Sequence, residues 1–221
     1  MRMRFGRFGL TTVVILAALG APAYAQQAPS GSGTLPPSRG YAEGVAQSAF
    51  GNVTSQSFGG EFGIAVRPGV SIFVEGGFIR DAAPASLGTA AQTLASAVTV
   101  LAGPTTYRVK EPITFGVAGV KYAFPVSSSS VAPYVLAGAG LAQAKKDVSF
   151  TTPSGDITQY ATLGTDLSGS ETKAMISVGA GVDWFIARAL VIDLQYRYGR
   201  VFTSGDGLNL NRAGVGVGVR F

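Results

Sequence analysis

The chain closes on GVGVGVRF, residues 214–221, where glycine and valine alternate before one arginine and one phenylalanine. A period of two sends successive side chains to opposite faces of a strand. Ala213, Val215, Val217, Val219 and Phe221 therefore share one face, and Arg212, Gly214, Gly216, Gly218 and Arg220 the other. Soluble domains mostly end in a frayed polar tail; this chain ends on the apolar face of a strand. Earlier segments repeat the pattern. Leu190, Ile192, Leu194, Tyr196 and Tyr198 oppose Val191, Asp193, Gln195, Arg197 and Gly199. Ile176, Val178, Ala180, Val182 and Trp184 oppose Ser177, Gly179, Gly181 and Asp183, and Phe58, Phe62, Ile64 and Val66 oppose Gly59, Glu61 and Gly63. One such strand would suit a soluble sandwich with a wet face. Here the charged face is also rich in glycine, which suits a narrow interior crossed by long charged side chains.

The N-terminus reads as a targeting segment. Arg2, Arg4 and Arg7 precede an apolar run, Leu10–Leu19, and the small-residue site Ala23-Tyr24-Ala25. This is the pattern of a secretory signal peptide, 1–25, cleaved after Ala25; the run falls short of the roughly 20 residues of a spanning helix. Residues 26–40, QQAPSGSGTLPPSRG, read as a flexible periplasmic leader. Residues 41–221 form the barrel domain. The net charge of +5 includes the three signal arginines, so it makes no case for nucleic acid. Charged residues are 13% of the chain, against about 25% in soluble domains. There is no cysteine, so strand pairing and packing must replace the disulfides common in exported proteins. No later stretch reads as long and apolar enough for a transmembrane helix. An exported apolar chain then has one way to satisfy its backbone in lipid, a closed barrel.

Eight strands are expected, at 41–51, 56–66, 70–79, 112–124, 131–143, 173–186, 189–201 and 210–221, giving an antiparallel up-and-down transmembrane β-barrel. Arg67-Pro68-Gly69, Val126–Ser130 and Ala187-Arg188 make short turns, whereas 80–111, 144–172 and 202–209 are long. Short turns at one end and long loops at the other are the habit of outer-membrane barrels, with both termini in the periplasm. Within 80–111, Leu87, Ala91, Leu94, Val98 and Leu101 recur at helical spacing between Pro84 and Gly103-Pro104, which predicts a short external helix.

The same parity places Glu43, Glu61, Glu75, Lys121, Asp183, Asp193, Arg197 and Arg220 in the interior. Buried charges must pair, and at this strand number side chains fill the interior, so a lumen plugged by ion pairs is preferred. A narrow channel for ions or small solutes is the alternative. A soluble lipocalin-like barrel for an apolar ligand is the second alternative, and it would reverse the two faces. Arg80, Arg108, Lys110, Lys145, Lys146, Lys173, Arg200 and Arg212 are expected at the external rim, facing the phosphates of lipid A. With no histidine, the commonest acid–base group and metal ligand is missing. No nucleophile elbow or P-loop occurs, and Asp147, Asp156 and Asp166 lack calcium-loop spacing. No catalytic site, metal or cofactor is expected.

Three stretches carry a resemblance. Pro133-Tyr134-Val135-Leu136-Ala137-Gly138-Ala139-Gly140, the pair Gly179–Trp184 and Leu190–Tyr198, and Phe221 behind Val215, Val217 and Val219 resemble the strands of OmpA/OmpX-type eight-stranded outer-membrane barrels over 41–221. The resemblance implies a Gram-negative outer-membrane location, lipid and lipopolysaccharide as surroundings, and a monomer. It also implies that Val215, Val217, Val219 and Phe221 are a signal read by the barrel-assembly machinery, with Val219 departing from the aromatic common there. The resemblance names an architecture and no activity; the role expected of this chain is structural or surface-interactive: membrane integrity, or binding through the two long loops. Enzymes of that family resemblance use histidine with serine or acidic partners, so this chain is expected not to be one.

Overall fold

The computed structural model describes residues 39–126, 130–161, 167–202 and 207–221. The expected signal peptide, nearly all of the leader, parts of three connections and Asp166 lie outside the described residues. In chain order the elements are β1 (Gly40–Phe50), β2 (Ser55–Arg67), β3 (Val70–Ile79), α1 (Ala85–Ala102), β4 (Thr106–Lys110) and β5 (Ile113–Ala123). They continue with β6 (Val131–Thr152), β7 (Gly155–Asp156), α2 (Thr158–Ala161), β8 (Gly169–Phe185), β9 (Leu190–Val201) and β10 (Leu208–Arg220).

Eight of the strands form a ring, β1-β2-β3-β5-β6-β8-β9-β10, in which every neighbour is antiparallel. The last pairing, from Tyr41↔Arg220 to Phe50↔Asn211, closes β10 on β1 and removes the sheet edge. Apolar residues point outward around the ring: Phe62, Ile72, Val74, Val120, Val178, Leu194 and Val217 are each at least 42% exposed. That surface fits hydrocarbon and is the reverse of a lipocalin. Aromatic side chains gather near its two ends, as they do at membrane interfaces. Phe50 and Tyr196 lie 6.3 Å apart at the loop end, and at the turn end Phe62 stacks on Phe221 at 6.1 Å. The tight turn between β2 and β3 uses Gly69 at φ 75°, a left-handed conformation that glycine adopts without steric cost.

The two long connections hold more order than expected. β6 runs nine residues beyond its predicted end at 143, and β8 starts four residues before 173. The alternation does continue, since Ala144, Val148 and Phe150 are buried, but Lys145, Lys146 and Asp147 give the segment the composition of a loop. β4 pairs with this extension, from Thr106↔Thr151 to Lys110↔Asp147. Leu87, Ala91 and Ala95 of α1 pack with Val148, Phe150 and Leu167 of the extension and its loop, with Leu94 at the margin. The result is a small external cap with a globular core. α1 also corrects two expectations. By length and composition its 18 residues could cross a membrane, yet it lies on the cap. Its apolar stripe stops short of Leu101, which is 88% exposed beside Val100 at 85%.

Candidate functional site: the polar interior of the barrel

Strand register turns the inward acids into rows. Glu43 stands opposite Glu61 on β1 and β2, Glu61 stands opposite Glu75 on β2 and β3, and Asp183 faces Asp193 on β8 and β9. Like charges directly opposite one another are destabilising, so cations must reach them from elsewhere on the wall. Arg197 of β9 puts Nη2 2.5 Å from Glu61 Oε2 and Nη1 2.8 Å from Glu75 Oε2, the second contact being an ion pair without a hydrogen bond. Arg212 of β10 donates from Nη1 to Glu75 Oε1 at 2.8 Å and to Gln47 at 3.3 Å. Both arginines are essentially inaccessible, at 0% and 1% exposed. Gln195 extends the network. It accepts from Arg197 and from Gln47, and donates to Asp193 at 2.8 Å.

Arg212 departs from the rim position expected for it. Its parity is inward, and its height on β10 places it within the arginine layer. Among the described residues, the interior of the membrane-spanning ring therefore holds four bases, Lys121, Arg197, Arg212 and Arg220, against the five acids Glu43, Glu61, Glu75, Asp183 and Asp193. Toward the turn end, Lys121 Nζ bonds Asp183 at 3.1 Å and lies 3.8 Å from the centre of the Tyr134 ring and 4.7 Å from that of Tyr41. These rings shield the ammonium while their hydroxyls donate to acids, Tyr41 to Glu61 at 2.5 Å and Tyr134 to Asp193 at 2.8 Å. Arg220 sits over the Phe185 ring at 4.2 Å. Toward the loop end the lumen is apolar, with Ile79, Ile113, Ala144, Met175, Val201 and Leu210 buried together. Tyr41, Tyr134, Gln47 and Gln195 were not singled out from the sequence. The signal available was parity alone, which makes all four inward.

Glycine makes this packing possible. Tyr41, Phe115 and Tyr134 each lie over the glycine paired with them across the strands, Gly63, Gly77 and Gly181 respectively. A Cβ on any of these glycines would overlap the ring. The interior of a small barrel thus fits aromatics flat against the wall.

The other basic residues expected at the rim lie toward the loop end. Arg80 is exposed and bonds Gln56 at 2.9 Å; Arg108 and Lys110 are exposed on β4, and Lys145 is exposed on β6. Lys146, Lys173 and Arg200 are half-buried, with Lys173 3.6 Å from Glu171 and Arg200 bonding Asn209 at 3.3 Å. Asp81 clasps the root of the cap: its Oδ1 accepts from Ala83 N at 3.1 Å and Glu111 N at 3.0 Å. Burial pushes the Glu111 carboxyl above its ordinary value; Lys146 opposes the rise, and Asp81 and Glu171 add to it. The Thr158 hydroxyl, and then its amide, hold Asp156 below the usual carboxylate range.

A family model described as the outer membrane protein beta-barrel domain matches residues 11–221. The fold is similar to that of Neisserial surface protein A, NspA, at TM-score 0.52 and 16% identity, covering 82% of this chain and 96% of that one. A major outer membrane protein from Thermus thermophilus also gives 0.52, at 11% identity, covering 82% and 99%. The N-terminal β-barrel domain of Pseudomonas aeruginosa OprF gives 0.46 at 18% identity, covering 84% and 100%. No curated protein matches.

Proposed function

Because the chain belongs to the outer-membrane β-barrel family, we propose that it is a closed scaffold of the outer membrane, its lumen plugged by ion pairs and its outward role carried by the external cap. The observation that supports the plug is the pair of inaccessible arginines, Arg197 and Arg212, reaching glutamates on the facing strands below an apolar layer. Side chains that occupy the cross-section leave little room for a hydrated ion, and breaking such a pair exposes an uncompensated charge. No chemistry is assigned to the interior; its charges serve the wall. The cap supplies the surface for interaction, with Val100, Leu101 and Tyr160 strongly exposed outside the barrel.

Conductance of the purified protein in a planar bilayer tests this reading. A folded barrel that shows no discrete steps is expected, and reproducible single-channel steps would establish the channel instead. On the same reading, the signal peptide is removed after Ala25, the leader lies in the periplasm, and Val215, Val217, Val219 and Phe221 engage the assembly machinery of a monomeric protein. Arg80, Arg108, Lys110, Lys145, Lys146, Lys173 and Arg200 would meet lipid A phosphates, which pair well with Lys and Arg. Neutralising Lys145, Lys146 and Lys173 together should weaken lipopolysaccharide binding; unchanged binding removes that contact.

A further inference from the structure

The barrel strand β5 and the cap strand β4 lie on one line. β5 pairs with β6 from Ile113↔Ala144 and β4 from Lys110↔Asp147, so the register is the same on both sides of the break at 111–112. On its other side β5 is covered by β3, which ends at Ile79↔Ile113. Above that row β4 has no strand beside it and forms the end of the sheet. Backbone bonding alternates along an antiparallel strand. Lys145 N donates to Pro112 O at 3.1 Å, so even-numbered residues from Thr106 to Pro112 turn their backbone groups to β6. Odd-numbered ones turn theirs to the open edge. Glu111 obeys this: its N–H reaches Asp81 Oδ1 at 3.0 Å, and its C=O accepts from Ala82 N at 2.9 Å. Tyr107 and Val109 are the next such residues, about 7 Å apart. Among the described residues, no hydrogen-bond partner meets that edge at either one.

We infer that β4 is a docking edge for an extended acidic segment of another protein, added to the sheet as a strand. The inference rests on the cap as the interaction surface. Strand addition uses main-chain hydrogen bonds, here those of Tyr107 and Val109, and alternate side chains set specificity. On the outward face Arg108, Lys110 and Lys145 are exposed. Asp147 stands opposite Lys110, and Asp156 lies on β7, across β6 from this edge. Opposite charges facing each other across strands stabilise a sheet, and like charges destabilise it. A second copy is therefore a poor occupant, since β4 laid antiparallel on β4 sets Arg108 opposite its own counterpart. Basic residues on an edge strand discourage self-pairing, and the same residues favour glutamate or aspartate on the incoming strand. On the inner face, Tyr107 is 41% exposed and Val109 sits at the margin of the cap core. Apolar residues between the acids would pack beside them.

The test is a titration of the purified protein in detergent micelles with acetyl-EVEVE-amide, followed by NMR at the Tyr107 and Val109 amides. In this peptide the two valines lie opposite Tyr107 and Val109, and the glutamates fall on the outward face beside Arg108 and Lys110. Acetyl-KVKVK-amide tests the charge. The glutamate peptide methylated at both valine nitrogens tests the backbone bonds. Saturable shifts at both amides, with slowed hydrogen exchange, are expected, and about tenfold weaker binding of either comparison peptide. Arg108→Glu combined with Lys110→Glu should invert the preference toward the lysine peptide. A response that the methylated peptide reproduces would reduce the contact to side-chain charge and overturn strand addition. Equal binding of the lysine peptide would overturn the acidic partner, and no saturable response would overturn the whole inference. Saturable shifts confined to Val100, Leu101 or Tyr160 would keep the cap as the interaction surface and overturn the edge. The three peptides on the unaltered protein decide even if the double variant fails to fold.

Discussion

β6 passes through two environments on one alternation. Its even-numbered positions face inward along the whole strand, from Tyr134 and Leu136 in the barrel to Val148 and Phe150 in the cap. The odd-numbered positions change character on the way. Val135, Ala137, Ala139 and Leu141 are apolar and exposed, whereas Gln143, Lys145, Asp147 and Thr151 are polar and exposed. The switch at Gln143 is where the surroundings of the wall are expected to change from lipid to water. Below it the barrel is built outside in, with apolar residues on the surface and charges enclosed. Above it the same strand obeys the logic of a soluble domain, burying Phe150 under α1. One backbone geometry thus serves two solvents, and only the outward residues are rewritten.

The largest effect should come from the enclosed charges. Arg197→Ala leaves Glu61 without its cation and removes one partner of Glu75, and should cost about 3–5 kcal/mol. Denaturant unfolding of the reconstituted barrel measures it. Adding Glu61→Gln to that variant should recover part of the loss, because the stranded charge, rather than the missing contact, carries most of it. An additive double variant would contradict the layer as drawn.

A middle-sized effect tests the solvent boundary itself. Ala137→Arg places a charge in the lipid-facing band and should cost about 2–4 kcal/mol. Ser149→Arg, outside the lipid band on the same strand, should stay within about 0.5 kcal/mol. Equal costs would mean that the switch at Gln143 is not the membrane boundary. Heat-modifiable migration on gels, read alongside denaturant midpoints, separates failure to insert from loss of stability.

The smallest effect belongs to the root of the cap. A carboxyl raised above its ordinary value stabilises the fold fully below that ordinary value, and the contribution is lost as pH rises through the folded one. Glu111 is such a group. At neutral pH its charged form therefore weighs against the closed cap. Glu111→Gln should slow protease cleavage of the 80–111 connection at pH 7 and flatten its pH dependence. Faster cleavage, or an unchanged pH profile, would mean that Glu111 is not what couples the cap to pH.

Parity was open to reading because it is local. The backbone of a strand sends neighbours to opposite faces whatever it pairs with, so the apolar exterior and the inward charges of the cleanly alternating strands β2, β8, β9 and β10 (Glu61, Asp183, Asp193, Arg197 and Arg220) could be read from alternation, while the ring needed the loop lengths and the export signal as well. Even α1 announced itself by spacing. Height and register are another matter, because they depend on how far one strand slides against the next. Arg212 shows this: its inward parity was plain, but its place in the arginine layer rather than at the rim follows from Arg212↔Arg197 on β9. The row Glu43–Glu61–Glu75 exists only once β1, β2 and β3 are aligned, since those residues are far apart in the chain. Which acid would go without a donor was decided there too. Each arginine reaches only the carboxylates that closure of the ring brings within a few ångströms, and Glu43 stands outside that reach.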